Sequence, residues 1–229
     1  MLIQFSAPDV AKGAVFIAAT LFPIVNPLGG APIFFALTGS HPSEVRARLA
    51  GKIAINSFAL LMASLFVGAH VLAFFGISLS AVQVGGGIVV AAAGWTLLNQ
   101  PDRPNKDQQS VTDVDLLMRS FYPFTLPLTV GPGSISVAIT LGANLPKRLD
   151  TPSLFSLEPL VASFFGAGVI CILIWICYIS AERMSRALGP TGTSVVMRLS
   201  SFILFCIGVQ IAWNGFQGLA TTLIHSPAR

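Results

Sequence analysis

Asn26, Thr129 and Ser134 are neutral hydrogen-bonding side chains set among prolines and glycines inside long uncharged stretches. The two stretches are versions of one pattern. Phe22-Pro23-Ile24-Val25-Asn26-Pro27-Leu28-Gly29-Gly30-Ala31-Pro32 precedes Tyr122-Pro123-Phe124-Thr125-Leu126-Pro127-Leu128-Thr129-Val130-Gly131-Pro132 by one hundred positions, with the three prolines and one leucine in register. A proline has no backbone N–H, so Pro27, Pro32, Pro127 and Pro132 free the carbonyls of Pro23, Leu28, Pro123 and Leu128. The helix that restarts after each interruption offers free N–H groups near Gly30–Ile33 and Gly133–Ile135, a ready anion site. Freed carbonyls suit a cation or an ammonium group. The chemistry these residues favour is the holding of a small zwitterion, and Ser134 is expected as an N-cap or ligand donor.

The binding set read from this pattern is Asn26, Pro27, Gly29, Gly30, Thr129, Gly131, Pro132, Gly133 and Ser134. Thr125, Ser136, Gln210 and Asn214 are candidates for a pathway. Gln210, Asn214 and Gln217 share a helical face by their spacing, which equally suits hydrogen bonds between helices. Bond-making chemistry is not indicated. The chain has no HExxH, no phosphate-binding loop and no Cys/His metal spacing. No pair of intramembrane carboxylates is available for acid–base work. No catalytic residue, metal or cofactor is therefore expected. No Asp, Glu, Lys or Arg falls inside the uncharged stretches, which argues against a carboxylate proton relay. A coupling Na⁺ or H⁺ has no support in the sequence, although carbonyls alone can hold Na⁺.

Such residues must be positioned by membrane helices. The 229 residues are 54% hydrophobic and only 10% charged, far below the roughly 25% of a soluble domain. Uncharged runs cover 13–43, 53–101, 120–146, 159–181 and 199–228. About 20 apolar residues cross a bilayer core, and the run 53–101 holds two crossings with a turn at Phe75-Gly76-Ile77-Ser78. Six spans follow, at about 13–38, 53–75, 79–99, 120–144, 159–181 and 198–222. The start lacks the basic region of a secretory signal peptide, so the first apolar run reads as a retained span. Cys171, Cys177 and Cys206 all fall in spans and read as small apolar packing residues.

Basic residues are distributed unevenly. Arg46, Arg48, Lys52, Arg103, Lys106, Arg119, Arg183, Arg186 and Arg198 fall in loops on one side, and Lys12, Lys147, Arg148 and Arg229 on the other. The positive-inside rule places the first group in the cytoplasm and both termini outside. The net charge of +4 is a membrane pattern and not a nucleic-acid footprint.

Halves of three spans enter the membrane in opposite directions, so the matched prolines imply an inverted repeat. The expected fold is a single all-α membrane domain over 1–229. Repeat one covers about 12–99, a polar cytoplasmic loop about 100–119, and repeat two about 120–224, with spans one and four broken at the Pro/Gly motifs; a re-entrant hairpin at each break, leaving four full spans, is the geometric alternative. Spans two and five show no defensible similarity. Gly85, Gly86, Gly87, Ala91 and Gly94 form a small-residue face for close helix packing, and Gly166 and Gly168 do the same in span five.

The strings Phe22 to Gly29, Pro127 to Ile135, and Met197 to Gln210 resemble the MarC family of bacterial inner-membrane proteins, over essentially the whole chain. The resemblance carries the family's motif positions onto Asn26, Pro27, Gly29, Gly131, Pro132, Gly133 and Ser134. Ser201 stands where the family usually has Gly. The resemblance implies six spans in the cytoplasmic membrane of a prokaryote, and transport of small neutral amino acids such as glycine and alanine. The expected function is a secondary transporter with its solute between the two broken segments and one repeat rocking against the other. A non-transporting membrane scaffold or regulator is the alternative. The expected partners are lipid and a small solute, with self-association left open.

Overall fold

The computed structural model describes residues 7–99, 112–149 and 157–224. Most of the polar loop predicted at about 100–119 lies outside the described residues. The described chain is helical throughout: α1 (Ala7–Val25), α2 (Pro27–Thr38), α3 (Ser43–Phe74), α4 (Leu79–Leu98), α5 (Asp113–Met118), a segment of wide turns (Ser120–Thr129), α6 (Pro132–Arg148), α7 (Leu157–Ile179) and α8 (Ala181–Ile224). Five helices are long and apolar enough to cross a membrane. The count rises to six if Ser120–Thr129 and Pro132–Pro146, which meet at a 71° bend, form one span.

Helix ends follow local chemistry. Ser78 caps α4 by accepting from Ala81 N–H at 3.2 Å, and Gly76 before it takes a positive φ of 68° that closes the turn. The predicted turn at 75–78 stands there. Charged residues lengthen two elements beyond their predicted spans. α3 begins at Ser43, ten residues before its uncharged run, and α8 begins at Ala181 and is kinked at Gly189. At about 1.5 Å per residue, the 32 residues of α3 outrun a hydrocarbon core of roughly 30 Å.

Two kinds of packing build the interior. Around the centre, the Phe34 ring stacks on Tyr178 at 4.6 Å and meets Phe124 edge-on at 6.1 Å. Ile17, Leu21, Leu65 and Ile174 are fully buried around them. Elsewhere helices approach through small residues, as expected where lipid removes a hydrophobic driving force. The principal case is α4 against α8: a Cβ on Gly87 would meet Ala212 Cα at 2.8 Å, and one on Gly208 would meet Ala91 Cα at 2.7 Å. Gly166 of α7 admits Ile17 and the Ala14 carbonyl of α1 in the same way. Gly85 and Gly168 face open space and take no part.

Candidate functional site

The two proline motifs share spacing but fold differently. In the first, α1 runs on through Pro23 to Val25 and a single residue, Asn26, separates it from α2. Asn26 is left-handed, at φ 47° and ψ 57°, a region Asn tolerates better than most residues. Its Oδ1 accepts the Gly29 N–H at 3.1 Å and its carbonyl accepts the Gly30 N–H at 2.9 Å. The break therefore satisfies the Gly29 and Gly30 donors, while the Leu28 N–H has no backbone acceptor among the described residues.

In the second motif the residues before the prolines are Tyr122 and Leu126. A residue before proline is driven towards extended backbone, and these adopt φ/ψ of −124°/125° and −111°/121°. The segment Ser120–Thr129 is consequently wide. The Val130 N–H reaches the Thr125 carbonyl, and the Thr125 and Thr129 hydroxyls donate to the Ser120 and Phe124 carbonyls at 2.8 and 2.7 Å. α6 restarts at Pro132 with Gly131 at its N-cap and no side-chain cap. Ser134, expected as a cap, sits instead in the first turn. The Gly133 and Ser134 N–H groups have no backbone acceptor among the described residues, and neither does the Leu128 carbonyl a donor, since Pro132 occupies its helical partner position. One motif is self-capped and the other is open.

A cavity of about 440 Å³ lies where the motifs meet. Asn26, Gly29 and Gly30 line one side, and Thr129, Gly131, Pro132, Gly133 and Ser134 another. α4 and α8 close it through Val90, Ala93, Thr96, Met197, Ser200 and Leu204. Of the nine residues in the predicted binding set, Pro27 alone is absent from this lining; it is buried as the first residue of α2. Ser134 is 3% exposed and makes no side-chain hydrogen bond among the described residues. Ser200, half-buried across the cavity, makes none either.

The four predicted pathway residues are placed elsewhere. Thr125 is fully buried with its hydroxyl on the Ser120 carbonyl. Ser136 joins α6 to α4 by donating to the Val82 carbonyl at 3.0 Å. Gln210 and Asn214 are exposed on the outer side of α8 and bond to each other at 2.8 Å.

Sequence reasoning assigns no site role to Tyr178, Thr96, Met197 or Ser200, although the last two fall in the string Met197 to Gln210. Tyr178 backs the site: its hydroxyl pairs with Thr129 at 2.9 Å and lies where a Cβ on Gly30 would come within 2.9 Å. Gly30 is thus small because a phenol passes beside it. No proline or polar cluster advertises Tyr178. The one available signal is a lone hydroxyl-bearing aromatic at the end of an apolar span.

A belt of charge ties the α2–α3 junction to later elements. Arg46 pairs with Glu182, which also takes Arg186 at 2.7 Å, and the Arg46 guanidinium lies 5.5 Å from the centre of the Phe35 ring. His41 Nδ1 lies 2.6 Å from Asp113 Oδ1.

Comparison with known proteins agrees with this architecture. A family model described as MarC family integral membrane protein matches residues 12–220. The inner membrane protein MarC of Salmonella paratyphi A is 28% identical over 221 residues, covering 93% of this chain and 98% of the relative. The proteins of the same name from Citrobacter koseri and Escherichia coli O1:K1 are 28% and 27% identical, each with the same coverage. No solved structure matches.

Proposed function

The chain belongs to the MarC family of integral membrane proteins, and from that premise we propose that it is a secondary transporter, not an enzyme, for small neutral amino acids or solutes of that kind in the inner membrane. The observation that carries the reading is the cavity between the two Pro/Gly motifs, with the uncapped start of α6 and the unpartnered Ser134 hydroxyl at its wall. A carboxylate there gains two N–H donors, the positive end of a helix and a hydroxyl. An ammonium group gains the Leu128 carbonyl and the free lone pairs of Asn26. At roughly 30 Å³ per water, the cavity has room for a solute of five or six heavy atoms with water beside it. All its polar side chains are neutral, which favours a solute without net charge.

We read the two motifs as broken spans of an inverted repeat. The support is a pattern of neighbours that survives exchange of the halves. α1 packs on α7 as Ser120–Thr129 packs on α3; α2 packs on α8 as α6 packs on α4, and on α7 as α6 packs on α3; α3–α7 and α4–α8 are pairs of counterparts. At the α3–α7 contact, Phe58 meets Phe164 edge-on at 5.2 Å, each preceded by a fully buried serine, Ser57 and Ser163. These principal interfaces join one repeat to the other, so neither repeat forms a body that rocks alone. The seam favoured for alternating access runs between the α4–α8 pair, one helix from each repeat, and the remainder, and the cavity lies on that seam. With the Arg46–Glu182 end in the cytoplasm, both termini face outwards.

Counterflow in liposomes tests the proposal. Vesicles preloaded with unlabelled alanine, glycine or serine should accumulate the labelled solute above empty vesicles, and Ser134→Ala should reduce the rate at least tenfold with unchanged folding. Absence of counterflow for all three with folded protein would remove the amino-acid reading.

A further inference from the structure

The outer face of α8 carries a carboxamide pair, Gln210 and Asn214, where lipid cannot satisfy it. Gln210 donates to Asn214, which leaves the Gln210 oxygen and the Asn214 amino group without partners; Gln217 makes no side-chain hydrogen bond among the described residues. All three are exposed. Gln210 lies twelve residues beyond Arg198, the last charged residue before the apolar run. At 1.5 Å per residue that is about 18 Å into a core of roughly 30 Å. A glutamine side chain is too short to reach an interface from there, and polar groups at that depth require a protein or water partner; Gln217, nineteen residues beyond Arg198 and about 28 Å along, lies at the far edge of the core.

The face also has a seam. Leu199, Ile203, Cys206, Gln210, Trp213 and Gln217 alternate by four and three residues, and every one is exposed. That is the spacing of a left-handed helix pair, in which Gln210 and Gln217 occupy equivalent positions one heptad apart. A carboxamide is both donor and acceptor, so this face is complementary to itself. Two copies sharing one membrane orientation, related by a two-fold axis along the membrane normal, set Gln210 against Gln210 and Gln217 against Gln217. An apolar groove of about 690 Å³ between α4 and α8 adjoins the seam and shares Trp213 with it.

We propose that the protein forms a homodimer through this α8 face, held by reciprocal Gln210 and Gln217 hydrogen bonds. The dimer would make the α4–α8 pair the stationary part, against which the other helices move.

Native Cys206, on the seam one turn from Gln210, is the reporter; Cys171 and Cys177 are buried. Mild oxidation of membranes holding the wild-type chain should give a band at twice the 24.1 kDa monomer mass. The band should vanish in Cys206→Ser and persist in Cys171→Ser/Cys177→Ser. Photobleaching steps of labelled protein in liposomes supply the reading independent of Cys206 geometry. Wild type should bleach in two steps, and Gln210→Leu should need about tenfold higher density for the same two-step fraction. Single-step bleaching of wild type at every density, or an unchanged fraction in Gln210→Leu/Gln217→Leu, would overturn the proposal. So would a cross-linked band of another mass with a monomeric purified protein, which would identify a different membrane protein as the occupant.

Discussion

Replacing Asn26 separates two contributions that the geometry combines in one residue. Its backbone is left-handed, a conformation that costs an L-residue with a Cβ about 1–2 kcal/mol and glycine almost nothing. Its side chain caps α2 by accepting the Gly29 N–H at 3.1 Å, a bond of the kind worth about 1 kcal/mol. Asn26→Gly removes the side-chain cap and relaxes the left-handed backbone, so a loss of only about a few tenths of a kcal/mol is expected. Asn26→Ala loses the cap and strains the backbone, so the expected loss is about 2–3 kcal/mol. Gly29 gives no room for the chain to readjust, since a Cβ there would already meet Asn26 and Ser200. Reversible unfolding in mixed micelles measures both variants against wild type. Equal losses for Gly and Ala would refute the claim that the break imposes a left-handed residue. The consequence for function is direct: transport lost in Asn26→Ala reports on folding as much as on the site, whereas Ser134→Ala removes no hydrogen bond.

Three further expectations follow from close contacts. Gly208→Ala should lower stability by about 1–3 kcal/mol, because the added carbon would stand 2.7 Å from Ala91 Cα and must part α4 from α8. Gly85→Ala, on the partner helix α4 but facing open space, should be neutral or stabilising by up to about 1 kcal/mol in the same unfolding assay. Gly30→Ala should be destabilising alone and partly rescued by Tyr178→Phe, which removes the hydroxyl it would strike. A double-mutant cycle with strictly additive losses would show that the two residues do not meet.

The sequence reveals the membrane character and the five long apolar helices because charge segregation and apolar length are one-dimensional properties; the sixth span depends on the 71° bend between Ser120–Thr129 and Pro132–Pro146. It reveals most of the cavity lining because prolines and glycines announce where backbone groups go unpaired, and both motifs supply residues to one space. What it conceals depends on side chains acting at a distance. The same proline spacing becomes a one-residue break at Asn26 and a ten-residue wide segment before Val130, although Phe22 and Tyr122 stand before matching prolines. Tyr178 reaches the site from a helix with no motif of its own, and Ser200 from the string Met197 to Gln210, to which no site role is attached. The likeness of spans two and five is reduced to Ser57-Phe58 and Ser163-Phe164, too short to notice until the two phenylalanines are found in contact. The direction of the Gln210 face follows from how α8 packs on α4, a matter of which side the glycines lie on.

The central claim is that the solute occupies the cavity between the two motifs and the α4–α8 pair. Ser200→Cys, in a chain whose three native cysteines are replaced by alanine, puts one thiol on the α8 wall of that cavity. The rate of its modification by a small water-soluble thiol reagent, with and without the solute identified by counterflow, is the direct measurement. Modification from water, slowed about tenfold or more by saturating solute and not by an inert osmolyte, is the expected result. A thiol that reacts at the same rate with and without a transported solute would place the binding site elsewhere.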